Sequence, residues 1–211
     1  LQAHKVHMEG IMATSNKLKE QYPMSEIEAI YSRRAVRNYL PQILDRETIN
    51  SLLDAAVQAP TAMHEEPWSF VVIQDKETLN SLSNSIKALI YNEAHNYPKT
   101  QNKHLLQLVE NPEFHAFYNA STLIVIYSKY HGPFVAADCW LAAENLMLTA
   151  CAQGLGTCVI GLAVSALNTP EWKMKLNLPS NIVAIAPIIV GIPDGETQVV
   201  PRKSPEVLVW K

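Results

Sequence analysis

Arg33, Arg34 and Arg37 place three guanidinium groups within five residues, in the stretch from Ser32 to Tyr39. Cations this close repel one another, so the run needs a physical account. One account is a bound anion, because each guanidinium presents a planar fork of donors that matches phosphate or carboxylate. The other is a solvated charge run at a helix end, where cations are favoured by the dipole; on these residues alone it is the simpler of the two. If the chain turns extended after Arg33, side chains alternate. Arg33, Ala35 and Arg37 then line one wall, and Arg34 points away, toward solvent or a backbone carbonyl.

Little else in the chain offers chemistry of its own. Gly154-Leu155-Gly156 lacks the dinucleotide-binding context: it follows a helix, not a strand, and Val159 stands where a third glycine belongs. There is no Gly-Lys-Ser/Thr phosphate loop and no Gly-x-Ser-x-Gly elbow. The seven histidines show no metal-ligand spacing, so no metal is expected. With no nucleophile and no acid–base pair in view, an enzyme of this sequence would rely on a cofactor.

Composition narrows the partners. A net charge of −3 beside a local arginine cluster suits a small anionic ligand better than nucleic acid. Cys139, Cys151 and Cys158 are odd in number and sit among apolar residues, which reads as small buried hydrophobes in a reducing compartment. No signal peptide is expected in residues 1–24, and the longest apolar run, Ile182 to Ile192, is too short for a bilayer. No membrane partner and a cytoplasmic location are therefore expected.

The elements that must position the arginines are legible in outline. Residues 1–24 read as an N-terminal extension, polar and weakly helical over 3–21, ahead of one domain over 25–211. Ser25 and Glu28 form a capping-box pattern before Ile27, Ile30 and Tyr31, and that helix should end near Ser32 or Arg33. Asp45 caps a second helix with Ile49, Leu52, Leu53, Ala56 and Val57 on one face. Trp68 to Ile73 reads as a strand that takes Trp68 into the core, followed by a helix from Asp75 or Lys76 to about Ala94. His95 to Tyr118 reads as a polar, mobile excursion of short helices that could carry substrate contacts.

Ser121 to Tyr127 is apolar throughout and should be a central strand. Residues 133–153 form the strongest helix, apolar nearly all round, which implies cover from a second subunit; Met147 to Cys158 then reads as dimer core. Thr157 to Ile160 should be extended, Thr169 and Pro170 should open a short helix, and Ile182 to Ile192 should be a strand. Val207 to Trp210 is β-prone. The mixing of helices and strands without strict alternation favours an α+β class over a doubly wound one.

Four motifs in order carry a family resemblance over residues 25–211. Arg33-Arg34-Ala35-Val36-Arg37-Asn38-Tyr39 resembles the arginine-rich opening of the nitroreductase family. Ala59-Pro60-Thr61-Ala62-Met63-His64-Glu65-Glu66-Pro67-Trp68 resembles that family's Ala-Pro-Ser-x-x-Asn-x-Gln-Pro-Trp loop. Residues Ala143 to Ala150 followed by Gly154-Leu155-Gly156-Thr157-Cys158 are similar to its long helix and glycine-rich exit, and Pro201-Arg202-Lys203 to its C-terminal basic turn. The resemblance implies a central, mostly antiparallel sheet flanked by helices, in an intertwined homodimer with FMN at the interface. It places Arg33, Ala35 and Arg37 at the FMN phosphate and ribityl chain, with Arg34 in the same run. Arg202 and Lys203 reach the phosphate from the C-terminal turn. It brings Pro60, Thr61, Ala62 and His64 from the other subunit and puts Ile160, Gly161 and Leu162 beside the ring.

The activity it implies is hydride transfer from NADH or NADPH, through the flavin, to a nitro compound, quinone or similar small acceptor. The alternatives are a specialised dehalogenase-like or flavin-consuming enzyme, or a flavin-binding protein without turnover. Ala35, His64 and Glu66 depart from the family's usual Ser, Asn and Gln.

Overall fold

The computed structural model describes residues 24–96 and 102–211. The extension expected over 3–21 lies outside the described residues. Helix α1 (Glu26–Ser32) starts where the capping box predicts: Ser25 accepts from the Glu28 amide, and the Glu28 carboxylate accepts from the Ser25 amide at 2.8 Å. Helix α2 (Arg46–Ala56) is capped by Asp45, which accepts from the Thr48 amide at 2.7 Å. It buries Ile49, Leu52 and Ala56.

A short 3₁₀ turn (Ala62–His64) leads into β1 (Trp68–Ile73), followed by α3 (Lys76–Asn96) and α4 (Asn102–Glu110). Strand β2 (Thr122–Ser128), α5 (Val135–Ala152), β3 (Gly156–Val159), α6 (Ala163–Leu167), α7 (Pro170–Lys175) and β4 (Val183–Gly191) complete the order. The four strands form an antiparallel sheet in the order β1-β2-β4-β3. The α+β expectation holds, with helices on both faces.

Alternation along β2 divides the core in two. Leu123, Val125 and Tyr127 face α3, Phe117 and Trp172, whereas Ile124 and Ile126 face α2 and α5. Every residue of β2 is buried, as its unbroken apolar run predicts. Pro187 sits inside β4, where a missing donor would normally weaken a ladder. The register shifts nearby, between Ile126 and Tyr127 of the partner strand, and the Pro187 carbonyl accepts from the Ile160 amide.

Three expectations need correction, and α1 adds a finding of its own: Ile27, Ile30 and Tyr31, at helical spacing, are all exposed and only Ala29 of that helix is buried. The excursion does not run loose to Tyr118: Phe114, Ala116 and Phe117 are buried against β2 and α3 because their apolar side chains complete that half of the core. Residues 97–101 of it lie outside the described residues. Within the run 147–158 expected as dimer core, Met147, Ala150 and Cys158 are instead buried in the core of this chain itself. Val207 to Trp210 form no strand and are exposed, since no edge of the four-stranded sheet pairs with them.

Candidate functional site

The arginine run is held against the sheet edge by its own backbone. After α1, Ala35 bridges Thr157 in parallel and Tyr39 bridges Pro193 in antiparallel fashion, so the segment extends the sheet beyond β3. The Val36 amide donates to the Thr157 carbonyl (2.9 Å) and the Leu40 amide to that of Ile192 (3.0 Å). Val36 and Tyr39 are buried, and the Tyr39 hydroxyl donates to the Val36 carbonyl at 2.7 Å. Burial pushes the Tyr39 phenol far up, so it stays a neutral donor.

Two glycines permit this approach. A Cβ on Gly156 would lie 2.8 Å from Val36, and one on Gly191 would lie 2.8 Å from the Tyr39 ring. The Gly-Leu-Gly motif therefore has a structural role. Gly154, at φ 75°, lets the chain leave α5, with the Leu155 amide returning to the Ala150 carbonyl, and Gly156 makes room for the arginine segment.

Each arginine then takes a different partner. Arg34 donates to the carbonyls of Tyr31 (2.7 Å) and Arg33 (2.9 Å), the backbone role expected for it. Its Nε is buried and has no hydrogen-bond partner among the described residues. Arg33 forms a long ion pair with Glu144 of α5 at 3.6 Å, a half-exposed contact worth at most about 1 kcal/mol. Arg37 has no carboxylate partner among the described residues; its guanidinium lies 5.9 Å from the centre of the Tyr118 ring. Tyr118 and Asn119 both adopt left-handed backbone (φ 51° and 59°), a pair of strained non-glycine positions beside that cation.

The cluster borders a groove lined by Ser32, Arg33, Arg34, Cys151, Thr157 and Thr197; Ala35 and Arg37 do not line it, so the expected wall of Arg33, Ala35 and Arg37 with Arg34 turned away is corrected to one that Arg33 and Arg34 share. Burial raises the Cys151 thiol, and the charges of Arg33 and Arg34 oppose that rise. Thr197 brings the C-terminal segment to the same groove. Arg202 follows Thr197 by five residues, and neither it nor Lys203 lines the groove. Arg202 and Lys203 are themselves exposed and make no hydrogen bond or ion pair among the described residues. Two cations, several hydroxyls and an orphaned guanidinium nitrogen fit a phosphate group.

The Pro60–His64 segment forms a second, separate constellation. Met63, His64 and Glu66 all have positive φ (54°, 56° and 45°), three non-glycine residues in left-handed backbone within four positions. Strain of that density persists only where the surroundings over-determine it. The Ala62 amide donates to the buried carboxylate of Asp138 (3.2 and 3.4 Å), the Tyr130 hydroxyl donates to Glu65 (2.7 Å), and Lys129 donates through its side chain to the Glu66 carbonyl (3.1 Å). The hydrogen bond to Glu65 lifts the Tyr130 phenol to about 12. His64 is exposed.

The third group behaves differently from residue to residue. Ile160 is buried and its amide is committed to the Pro187 carbonyl, so its backbone donor serves the sheet. Gly161 is exposed, and no acceptor for its amide is found among the described residues. Leu162 precedes α6 and is half-buried. Among the described residues no cluster of histidine, cysteine and carboxylate groups could hold a metal ion, and no helix is long and apolar enough to cross a membrane.

Sequence reasoning passed over Glu144, Tyr118, Tyr130 and Asp138. Asp138 alone carried a signal: it is a charged residue on the inner face of the most apolar helix in the chain, which is where a buried carboxylate with a specific partner would be found.

Residues 30–192 match the model of the nitroreductase family. A relative from Archaeoglobus fulgidus, provisionally named an NADH dehydrogenase/NAD(P)H nitroreductase, is 29% identical over 175 residues, covering 81% of this chain and 86% of its own. An iodotyrosine deiodinase from Thermotoga neapolitana is 23% identical, covering 84% and 92%. A nitroreductase with bound FMN from Bacteroides fragilis shares the fold with a TM-score of 0.74 at 24% identity, over 88% of this chain and 97% of that one.

Proposed function

Since the chain belongs to the nitroreductase family, we propose that it is an FMN-dependent oxidoreductase that uses NADH or NADPH to reduce a nitro compound, quinone or similar small acceptor. Residues 25–211 act as one flavin-binding unit. The reading rests on one observation above the others: Arg33, Arg34 and the segment leading to Arg202 meet at a single groove, although more than 160 positions separate them in sequence. Arg33, Arg37, Arg202 and Lys203 would hold the phosphate, and Arg34 would frame the site from its backbone anchors. Ala35, which brings no hydroxyl, would contribute its backbone. Bound FMN would supply the two-electron chemistry that no side chain here offers.

The remaining residues orient and shield. Gly161 and Leu162 would offer backbone donors toward the ring, while Ile160 fixes the strand end that carries them. Pro60, Thr61, Ala62 and His64 would approach from a second copy, so the functional unit is a homodimer. Its contact surface would include Ile27, Ile30 and Tyr31 of α1 with Trp140 and Leu141 of α5, all exposed. The exposed apolar end of the tail, Val207 to Trp210, would be exchanged between copies.

Fluorescence titration with FMN tests the reading directly. Purified protein should be yellow or should quench added FMN, and should then oxidise NADH or NADPH when given a quinone or nitroarene. Colourless protein that leaves FMN fluorescence unchanged would overturn it. The deiodinase among the relatives supports a second reading, reductive dehalogenation of an aromatic substrate. Iodide release from 3-iodo-L-tyrosine by the reduced protein, without quinone or nitroarene turnover, would favour that reading.

A further inference from the structure

Asp138 is a carboxylate with too few partners for its burial. It sits on the inner face of α5, is 5% exposed, and a carboxylate offers about four acceptor positions. Among the described residues it receives one donor, the Ala62 amide, shared between its two oxygens at 3.2 and 3.4 Å. Burying a carboxylate is costly unless something specific offsets it. Its place in the first turn of α5 offsets part of that cost, because the positive end of the helix dipole lies there. An apolar residue on the same helix face would pack without any such cost, so packing alone does not account for Asp138.

What Asp138 holds is the start of the strained loop. Thr61 is extended (φ −129°, ψ 149°), the Ala62 amide turns inward to the carboxylate, and Met63 and His64 follow in left-handed backbone. The other end of the loop is tied by the Tyr130 hydroxyl on Glu65 and by Lys129 on the Glu66 and Pro67 carbonyls. Glu65 thus has a definite role as the acceptor of the Tyr130 hydroxyl. Both anchors come from the chain between β2 and the first turn of α5, so one rigid segment grips the loop at two points.

We propose that Asp138, acting through the Ala62 amide, is the positioning residue that sets the Thr61–Glu66 loop in the conformation that meets the cofactor and acceptor, with Tyr130 and Glu65 as the second anchor. The proposal rests on the reading above, in which this loop faces a flavin bound by the partner copy. A charged acceptor is suited to the task because hydrogen bonds to ionised groups are about twice as strong as neutral ones. It therefore offsets more of the strain in the three left-handed residues than a neutral acceptor would, and a neutral acceptor offsets part of it.

Hydrogen exchange on the whole protein separates this from a general packing role. In Asp138→Ala, amides of residues 62–66 should exchange about ten- to a hundredfold faster, the loss expected for a hydrogen bond to a charged group. Core amides of Ile124 and Ile188 should move little. Asp138→Asn, which keeps an acceptor oxygen, should recover much of the protection. If Asp138→Ala does not fold, Ala62→Pro removes the same donor while leaving the carboxylate. The extended conformation of Thr61 suits a following proline. The loosened variants should also bind FMN about tenfold more weakly or show a raised acceptor KM, with kcat less affected. Unchanged loop exchange would overturn the brace, and so would loss of protection spread evenly over the core. A loosened loop with unaltered flavin affinity and KM would overturn its positioning role. Wild-type protein that takes no flavin would instead overturn the functional reading, while the exchange comparison still decides whether Asp138 holds the loop.

Discussion

Val36 occupies the space that a side chain on Gly156 would need. A Cβ there would fall 2.8 Å from the Val36 Cβ, so the arginine segment docks on the sheet edge only because position 156 is bare. Gly156→Ala should push the segment outward, costing about 1–3 kcal/mol of stability through overpacking. FMN affinity should fall with it, because Arg33 and Arg37 ride on that segment. Thermal unfolding paired with FMN titration checks both; an alanine variant with native melting and native affinity would show that the close approach does not matter.

The three arginines should separate by role. Arg37 has no carboxylate partner among the described residues and should be spent on the ligand, so Arg37→Ala should weaken FMN binding by roughly 1.5–3 kcal/mol, about ten- to over a hundredfold. Arg34 closes the end of α1 through the Tyr31 and Arg33 carbonyls. Its removal should lower the melting temperature more than the affinity. Equal losses of affinity in the two variants would refute this division.

His115 ties the end of the excursion to α3 as a neutral ring. Its Nδ1 accepts from the Phe117 amide at 3.3 Å, which leaves the proton on Nε2, facing the Asn80 side-chain oxygen at 3.1 Å. Burial, with a smaller contribution from the Lys87 charge, holds its pKa below the usual value near 6.5. The unfolded chain therefore binds this proton more readily than the folded one, and the derivative of stability with pH is positive in that range. Stability from this site is complete above about 6.5 and is lost as pH falls toward the lowered folded value. The difference in melting temperature between about pH 7.5 and pH 5.5 should shrink in His115→Gln. An unchanged difference would remove His115 as its source.

The apolar stripe on α5 should disappear into an interface. Trp140 and Leu141 are exposed on a helix with few charges, and α1 adds Ile27, Ile30 and Tyr31 beside it. Sedimentation of the wild-type chain should give a dimer, and Trp140→Glu should shift it toward monomer with weaker flavin retention. A well-folded wild-type monomer would contradict the interface.

Helix starts and strand identities were legible because their causes are local. Ser25, Asp45 and Thr169 cap helices through bonds three residues away, and β2 announces its central place by seven apolar or small residues in a row. The bonds of Arg34 to the Tyr31 and Arg33 carbonyls agree with the backbone partner expected for it, but the alternation behind that expectation does not hold, since Arg34 lines the groove beside Arg33. The exposure of α1 was not legible, because helical spacing shows that a face is apolar without showing what covers it.

Sequence alone determined the elements, the family resemblance and the residue types available for an anion site. The tertiary structure decided which of them meet: Val36 with Gly156, Arg37 with Tyr118, and Ala62 with Asp138 across 76 positions. The reason lies in the sheet order β1-β2-β4-β3 and the extra edge segment beside β3. Periodicity within a segment records which side is apolar, whereas the neighbour across a sheet or a helix face is set by the packing of the whole chain.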